Sequence, residues 1–293
     1  MGETRAGSVS HGRFSDDSPA ARDYLLIRED NWPEVIPEPF PHIVIDNALP
    51  DEAFAALCRS MPADDYLAGP RLKGPNRYHR RSAAELLKDE ELDLSAPWRT
   101  FLQQHLSQDF YETCLSVFSR FLQDADAVFR KRAGAGLDEL RPAMRNGSEG
   151  GHEDAWLECQ ISHVTPADAA GSPLGPHVDR EVALWAGLFY LRGVGAEQGG
   201  DLVFYRFREP RNREYWRDRM IPPSLVEPVK TIDARENRLV LFLHGPDAIH
   251  GVTPRRPGQS PRQSVNLVCE APFKIWDIAT WQTKPDVFPT ATD

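Results

Sequence analysis

The sequence predicts a mainly β protein with helices at its N-terminal end and a double-stranded β-helix (jelly-roll, cupin-like) core. Two observations predict it. From Trp156 onward, seven short runs rich in Val, Ile, Leu and aromatic residues follow one another, with Gly, Pro, Asn and Asp between them. Before them, apolar residues recur at helical rather than strand spacing. Many short strands of this kind build a sandwich or barrel, not a parallel sheet.

The elements follow in order. Residues 1–22 are rich in Ser, Gly and Asp and lack an apolar central stretch, so they read as a disordered lead-in and not a secretory signal. A single domain over 23–293 is expected, with a helical part at about 50–132 and the strand core at about 156–272. A proline-rich stretch, Pro37 to Pro41, leads into a β-like run at 42–46, and Pro50 opens a helix. Phe54, Leu57, Cys58 and Met61 share one face of that helix. Residues 62–92 are polar and punctuated by Gly and Pro, which predicts a long loop with at most one or two helical turns. Helical spacing returns over 97–132. Ser107 is suited to an N-cap there, and Phe110, Cys114, Val117, Phe118 and Phe121 form an inward stripe. A second loop is expected at 133–154. Strands are then expected at 156–163, 182–191, 201–207, 226–232, 238–243, 248–253 and 262–271.

Composition narrows the function. The 293 residues are 41% hydrophobic and 27% charged, as in soluble globular proteins. A net charge of −10 argues against a general nucleic-acid binder, which needs a basic face. No apolar run approaches the roughly 18 residues that a membrane span requires. The four cysteines are far apart with no CxxC, so free thiols in a reducing cytoplasm are expected. Nothing in the sequence sets an oligomeric state.

His177-Val178-Asp179 is the feature that points to chemistry. Residues i and i+2 of an extended strand face the same way, so both side chains can enter one metal's coordination sphere. The distant His250 can supply a third ligand. Two histidines and one carboxylate on one face of an octahedron leave open positions, the arrangement of non-haem Fe(II) oxygenases. Zinc accepts the same residue types. Arg262 and Ser264, again at i and i+2, lie either on a solvated strand face or inward against an anion; a guanidinium with a neighbouring hydroxyl suits a carboxylate. Three readings follow: an oxygenase acting on a small molecule, a jelly-roll binding protein without catalysis, and a zinc-dependent hydrolase. The last leaves Arg262 unexplained.

The segment 174–271 resembles the core of the Fe(II)/2-oxoglutarate-dependent dioxygenases, in the group that includes prolyl-hydroxylase-like enzymes. The resemblance rests on His177-x-Asp179, on His250 within Ala248-Ile-His-Gly-Val-Thr253, and on Arg262-x-Ser264 downstream. Gln198-Gly-Gly-Asp-Leu-Val-Phe204 and Pro39-Phe-Pro-His-Ile-Val-Ile-Asp46 are similar to family members less specifically. The resemblance implies that His177, Asp179 and His250 bind Fe(II) and that Arg262 and Ser264 hold the far carboxylate of 2-oxoglutarate. It implies O2 as the oxidant, with succinate and CO2 released as a substrate is oxidised. Halogenating relatives lack the carboxylate ligand, so Asp179 favours hydroxylation, desaturation or ring formation.

Other residues leave alternatives open. On the strand at 156–163, Gln160 and Ser162 share one face and Ile161 and His163 the other. His163 is the candidate for lining the site, against a core histidine bonded to backbone. Asn266 shares the face of Arg262 and Ser264 and is either a supporting residue or exposed. Trp185 reads as a core aromatic. The basic run Arg71, Lys73, Arg77, Tyr78, His79, Arg80, Arg81 is either a solvated loop or a lid over a polar or anionic substrate. Arg130-Lys131-Arg132 suits a helix C-terminus, where cations meet the dipole favourably. Loops at 62–92, 133–154 and 207–225 are expected to form the entrance, with a composition that favours a polar small-molecule substrate.

Overall fold

The structure is a computed structural model describing residues 19–69, 74–145, 155–171, 174–195, 199–209 and 219–277. Most of the expected lead-in, residues 1–18, lies outside the described residues, as do Arg71 and Lys73 of the basic run. Pro19–Arg22 (α1) forms one helical turn.

The helical half forms where the sequence supplies both an apolar face and a cap. Helix α2 (Asp51–Arg59) follows Pro50 and buries Ala53 and Leu57. Two short helices come next, α3 (Asp64–Ala68) and α4 (Ala83–Lys88). Helices α5 (Ala96–His105), α6 (Gln108–Phe118) and α7 (Gln123–Ala133) then run in succession. Ser107 caps α6 as expected, its hydroxyl accepting the Phe110 N–H, and Phe110, Cys114, Val117 and Phe118 are buried. The last turn of α7 carries Arg130, Lys131 and Arg132 ahead of Gly134 in the left-handed conformation.

All seven expected strand runs form strands, within a few residues of the expected limits. They are β4 (Ala155–Val164), β5 (Ala183–Arg192), β6 (Leu202–Phe207), β7 (Val226–Ile232), β8 (Leu239–Leu243), β9 (His250–Val252) and β10 (Arg262–Glu270). Ahead of them lie β1 (His42–Ile45), β2 (Tyr78–Ser82) and β3 (Pro142–Met144). One sheet runs β1-β8-β5-β10-β4-β2, with β3 beside β4; the other runs β7-β6-β9. Every pairing is antiparallel except that of β3 with β4.

Two expectations need correction. Residues 62–92 are not a long loop: β2 runs antiparallel along β4, with Tyr78 opposite Val164 and Ser82 opposite Gln160, and α3 and α4 flank it. Residues 133–154 likewise contain β3. Tyr-His-Arg-Arg-Ser has no apolar alternation because β2 is an edge strand, held by backbone bonds to β4 and not by burial of one face.

Alternation in the larger sheet divides the interior. Leu239, Leu241 and Leu243 of β8, and Val265, Leu267 and Cys269 of β10, join the helices in the main core, together with Trp185, Phe101, Tyr111 and Phe118. The residues between them face the smaller sheet. There Val240 and Phe242 meet Leu202 and Phe204 of β6 in a second cluster, with Phe40 packed 4.4 Å, centroid to centroid, from Phe204. Toward one end, this space between the sheets opens into a cavity.

Candidate metal centre

Backbone pairing explains why two histidines so distant in sequence meet. The His177 N–H donates to the His250 carbonyl at 2.8 Å, and the His250 N–H returns the bond to the His177 carbonyl at 2.8 Å. Such a reciprocal antiparallel pair sets its two side chains next to each other. The ring centroids are 4.2 Å apart. Gly251 permits the approach: a Cβ there would meet the Gly175 carbonyl oxygen at 2.9 Å.

Asp179, two residues beyond His177, turns to the same side. Its Oδ1 lies 3.8 Å from His177 Nε2 and its Oδ2 lies 3.8 Å from His250 Nε2. One ligand atom from each of the three residues can be chosen so that all lie within 4.8 Å of one another. Both imidazoles are held from behind. His177 Nδ1–H donates to the Gly175 carbonyl and His250 Nδ1–H to the Ala248 carbonyl, each at 2.9 Å. With Nδ1 protonated, each Nε2 lone pair points at the Asp179 carboxylate, the arrangement that metal-binding histidines need.

Electrostatics keeps the set ready to bind. Burial, with the neighbouring His177, brings His250 down to about 3. Burial also lowers His177, so both rings are neutral at physiological pH. Burial opposes the charge on Asp179, but the adjoining His244 ring outweighs it and holds the carboxyl well below the usual range. A carboxylate and two neutral imidazoles are the protonation states a divalent cation requires.

His244 was not singled out by the sequence, where it reads only as part of a turn. Its side chain is wholly buried, and Nε2 lies 3.0 Å from Asp179 Oδ2. The signal is the alternation of β8: Val240 and Phe242 face away from the helices, and His244, one position past the strand, packs its ring against Phe242.

Arg262 and Ser264 line the same cavity as His177, Asp179 and His250, and its volume is about 570 Å³. The Arg262 side chain is buried at 7% exposure, and its Nη1 donates to the Gly200 carbonyl. Its guanidinium lies 5.2 Å from the Tyr190 ring centroid. Gly200, at φ +76°, leaves room for it, because a Cβ there would lie 2.0 Å from Nη1. Among the described residues no carboxylate comes within ion-pair distance of Arg262. Asn266 also lines the cavity; its Nδ2 donates to the Tyr78 hydroxyl at 2.8 Å, while its buried Oδ1 has no partner among the described residues. Arg255, which the sequence did not flag, is 2% exposed on the cavity wall and donates to Asn76 and to the Thr165 carbonyl.

His163 is a correction. The strand register sets Ser162 and Gln160 opposite Ser264 and Asn266, on the cavity side, so His163 turns to the helix side. There it lies 3.8 Å from Asp64 and beside Gln263, whose Nε2 donates to Asp64 at 2.7 Å. Both faces of β4 are largely buried, so hydrophobic pattern alone cannot tell them apart. The basic run divides in the same way: Tyr78 and Arg80 line the cavity, while Arg81 turns away to donate to the Tyr66 carbonyl.

No family model and no curated protein matches the sequence. Among solved structures, the chain is similar to a prolyl 4-hydroxylase from Phytophthora capsici, with 14% identity and a TM-score of 0.42 over 79% of this chain and 59% of that one. It is similar also to a Pseudomonas putida prolyl-4-hydroxylase, at 15% identity and a TM-score of 0.42 over 79% and 93%. A third is the non-haem alpha-ketoglutarate-dependent epimerase SnoN of nogalamycin biosynthesis, at 12% identity and 0.42 over 87% and 84%.

Proposed function

We propose that this protein is a non-haem Fe(II)/2-oxoglutarate-dependent oxygenase of the prolyl-hydroxylase-like group, built on a jelly-roll core. It hydroxylates or otherwise oxidises a polar small molecule and releases succinate and CO2. One observation carries this reading: a single cavity holds a three-ligand metal face together with a buried arginine that no described carboxylate neutralises. Leaving a buried cation unpaired costs on the order of several kcal/mol, so Arg262 is a position that awaits an anion.

His177 and His250 offer Nε2, and their Nδ1 bonds to backbone carbonyls stop the rings from turning. Asp179 supplies the third ligand and offsets part of the metal's charge. It also fills the place a halide would need, which favours oxygen insertion, desaturation or cyclisation over halogenation. Arg262, with the Ser264 hydroxyl beside it, receives the far carboxylate of 2-oxoglutarate in a charge-assisted pair. When bound, iron and 2-oxoglutarate supply the activation of O2. The polar wall of Tyr78, Ser264 and Asn266 suits a substrate with hydrogen-bonding groups. The four cysteines are unpaired, in keeping with a cytoplasmic setting. No described helix is long and apolar enough to cross a membrane.

Calorimetry on the metal-free protein tests the reading. Mn(II) should bind at one equivalent, 2-oxoglutarate should bind only after it, and His177→Ala, Asp179→Ala and His250→Ala should each remove both. Metal binding without any binding of 2-oxoglutarate contradicts the reading and leaves a zinc hydrolase or a non-catalytic binding protein.

A further inference from the structure

Resting on that reading, we propose that the substrate carries an oxyanion, a carboxylate or a phosphate, received at the edge of the cavity by Arg80, with Arg180 adding positive charge to the same lining. Among the described residues the charged lining of the cavity, its histidines aside, is Arg80, Arg180, Arg219, Arg255 and Arg262 against Asp179 and Glu270. The chain as a whole carries a net charge of −10, so this lining is opposite in sign to the rest of the protein.

Bound iron and 2-oxoglutarate do not remove the excess. The two charges of Fe(II) are met by Asp179 and by the near carboxylate of 2-oxoglutarate, and Arg262 is met by the far one. Glu270 is already engaged: its Oε2 contacts Arg145 from outside the cavity and lies a longer 3.7 Å from Arg180. Arg80 has no carboxylate partner among the described residues, so the lining keeps an excess of positive charge that an anionic substrate would meet.

Arg80 is also held in place, unlike an ordinary surface arginine. Its Nε donates to the Tyr78 hydroxyl at 2.7 Å, and its guanidinium sits 4.9 Å from the Tyr78 ring centroid. Nη1 reaches the Gln160 amide oxygen at 3.5 Å. Both partners are neutral, so its charge is undiminished. Tyr78 is in turn fixed by Asn266 on the cavity wall. A guanidinium held through Nε, and at longer range through Nη1, keeps Nη2 available to donate to a carboxylate or phosphate. The cavity volume of about 570 Å³ falls in the range of small-molecule sites, which leaves room for a compact anion beside the co-substrate.

The test uses wild-type protein loaded with Mn(II) and 2-oxoglutarate, titrated calorimetrically with two matched pairs of probes: benzoate against benzamide, and phenyl phosphate against phenol. At low salt at least one anion should bind at least tenfold more tightly than its neutral partner. The gap should close in Arg80→Gln, recover partly in Arg80→Lys, and shrink as salt is raised. Which anion binds better identifies the oxyanion. Equal binding within both pairs, no binding of any probe, or a gap that survives Arg80→Gln overturns the proposal. Failure of 2-oxoglutarate to bind in the loading step counts instead against the oxygenase reading.

Discussion

His244 Nε2 stands 3.0 Å from Asp179 Oδ2, so a ring with a fully buried side chain packs directly against the carboxylate of the candidate metal face. The approach is off the line of an ideal hydrogen bond, and neither ring nitrogen of His244 has a hydrogen-bond partner among the described residues. A carboxylate only accepts, so an Nε2–H on His244 would be the group able to donate to this oxygen. This leaves Asp179 Oδ1, on the His177 side, as the oxygen better placed to ligate.

His244→Leu should therefore weaken Mn(II) binding about 10–100-fold, the usual cost of removing a group that orients a metal ligand. His244→Gln, which can still donate, should recover part of it. Calorimetric Mn(II) affinities decide this, with thermal unfolding of the metal-free proteins as the control on folding. An unchanged affinity in His244→Leu removes His244 from this role.

Arg262→Leu should separate co-substrate from metal. Losing a buried charge-assisted pair costs about 2–5 kcal/mol. The Kd of 2-oxoglutarate should then rise by about one and a half to several decades, while Mn(II) affinity stays unchanged. A Kd close to that of wild type assigns the carboxylate to another residue.

Legibility in the sequence followed burial on one side. The seven core strands and Ser107 were legible because their apolar periodicity and capping chemistry are local. The triad was legible because strand geometry sets His177 and Asp179 on one side whatever the rest of the chain does. Strand β2 was not, since its polar residues pair by backbone and two of them face the cavity. The choice between His163 and Ser162 was not legible either, because it depends on the register of β4 against β10.

Glu158 gives a pH signature of stability. Burial pushes its carboxyl up to about 7, against bonds to its Oε1 from the Ala83 and Cys159 N–H groups that pull the other way. The folded state thus binds this proton more tightly than the unfolded chain, whose carboxyl titrates near 4.5. Stability from this group is fully present below about pH 4.5 and declines as pH rises to about 7, by about 3 kcal/mol in all. Glu158→Gln should abolish that decline and be the more stable protein above pH 7. Denaturant unfolding between pH 4.5 and 8 measures it; parallel curves for wild type and Glu158→Gln contradict it.

Ser107→Ala should cost about 1 kcal/mol by loss of the N-cap of α6, without altering Mn(II) or 2-oxoglutarate binding. Chemical denaturation reads the first effect and calorimetry the second. A loss well below 0.5 kcal/mol would mean that the Phe110 N–H finds another acceptor.

The most direct measurement is succinate formed from 2-oxoglutarate under air, without added substrate, by wild type, His177→Ala, Asp179→Ala and His250→Ala. It is made with Fe(II), with Zn(II) and with chelator. Slow succinate release by wild type with Fe(II) alone, absent with Zn(II) or chelator and absent in all three variants, is the result expected of an Fe(II)/2-oxoglutarate oxygenase. Succinate at wild-type rate from any of the three variants, or none from wild type with Fe(II), contradicts the assignment.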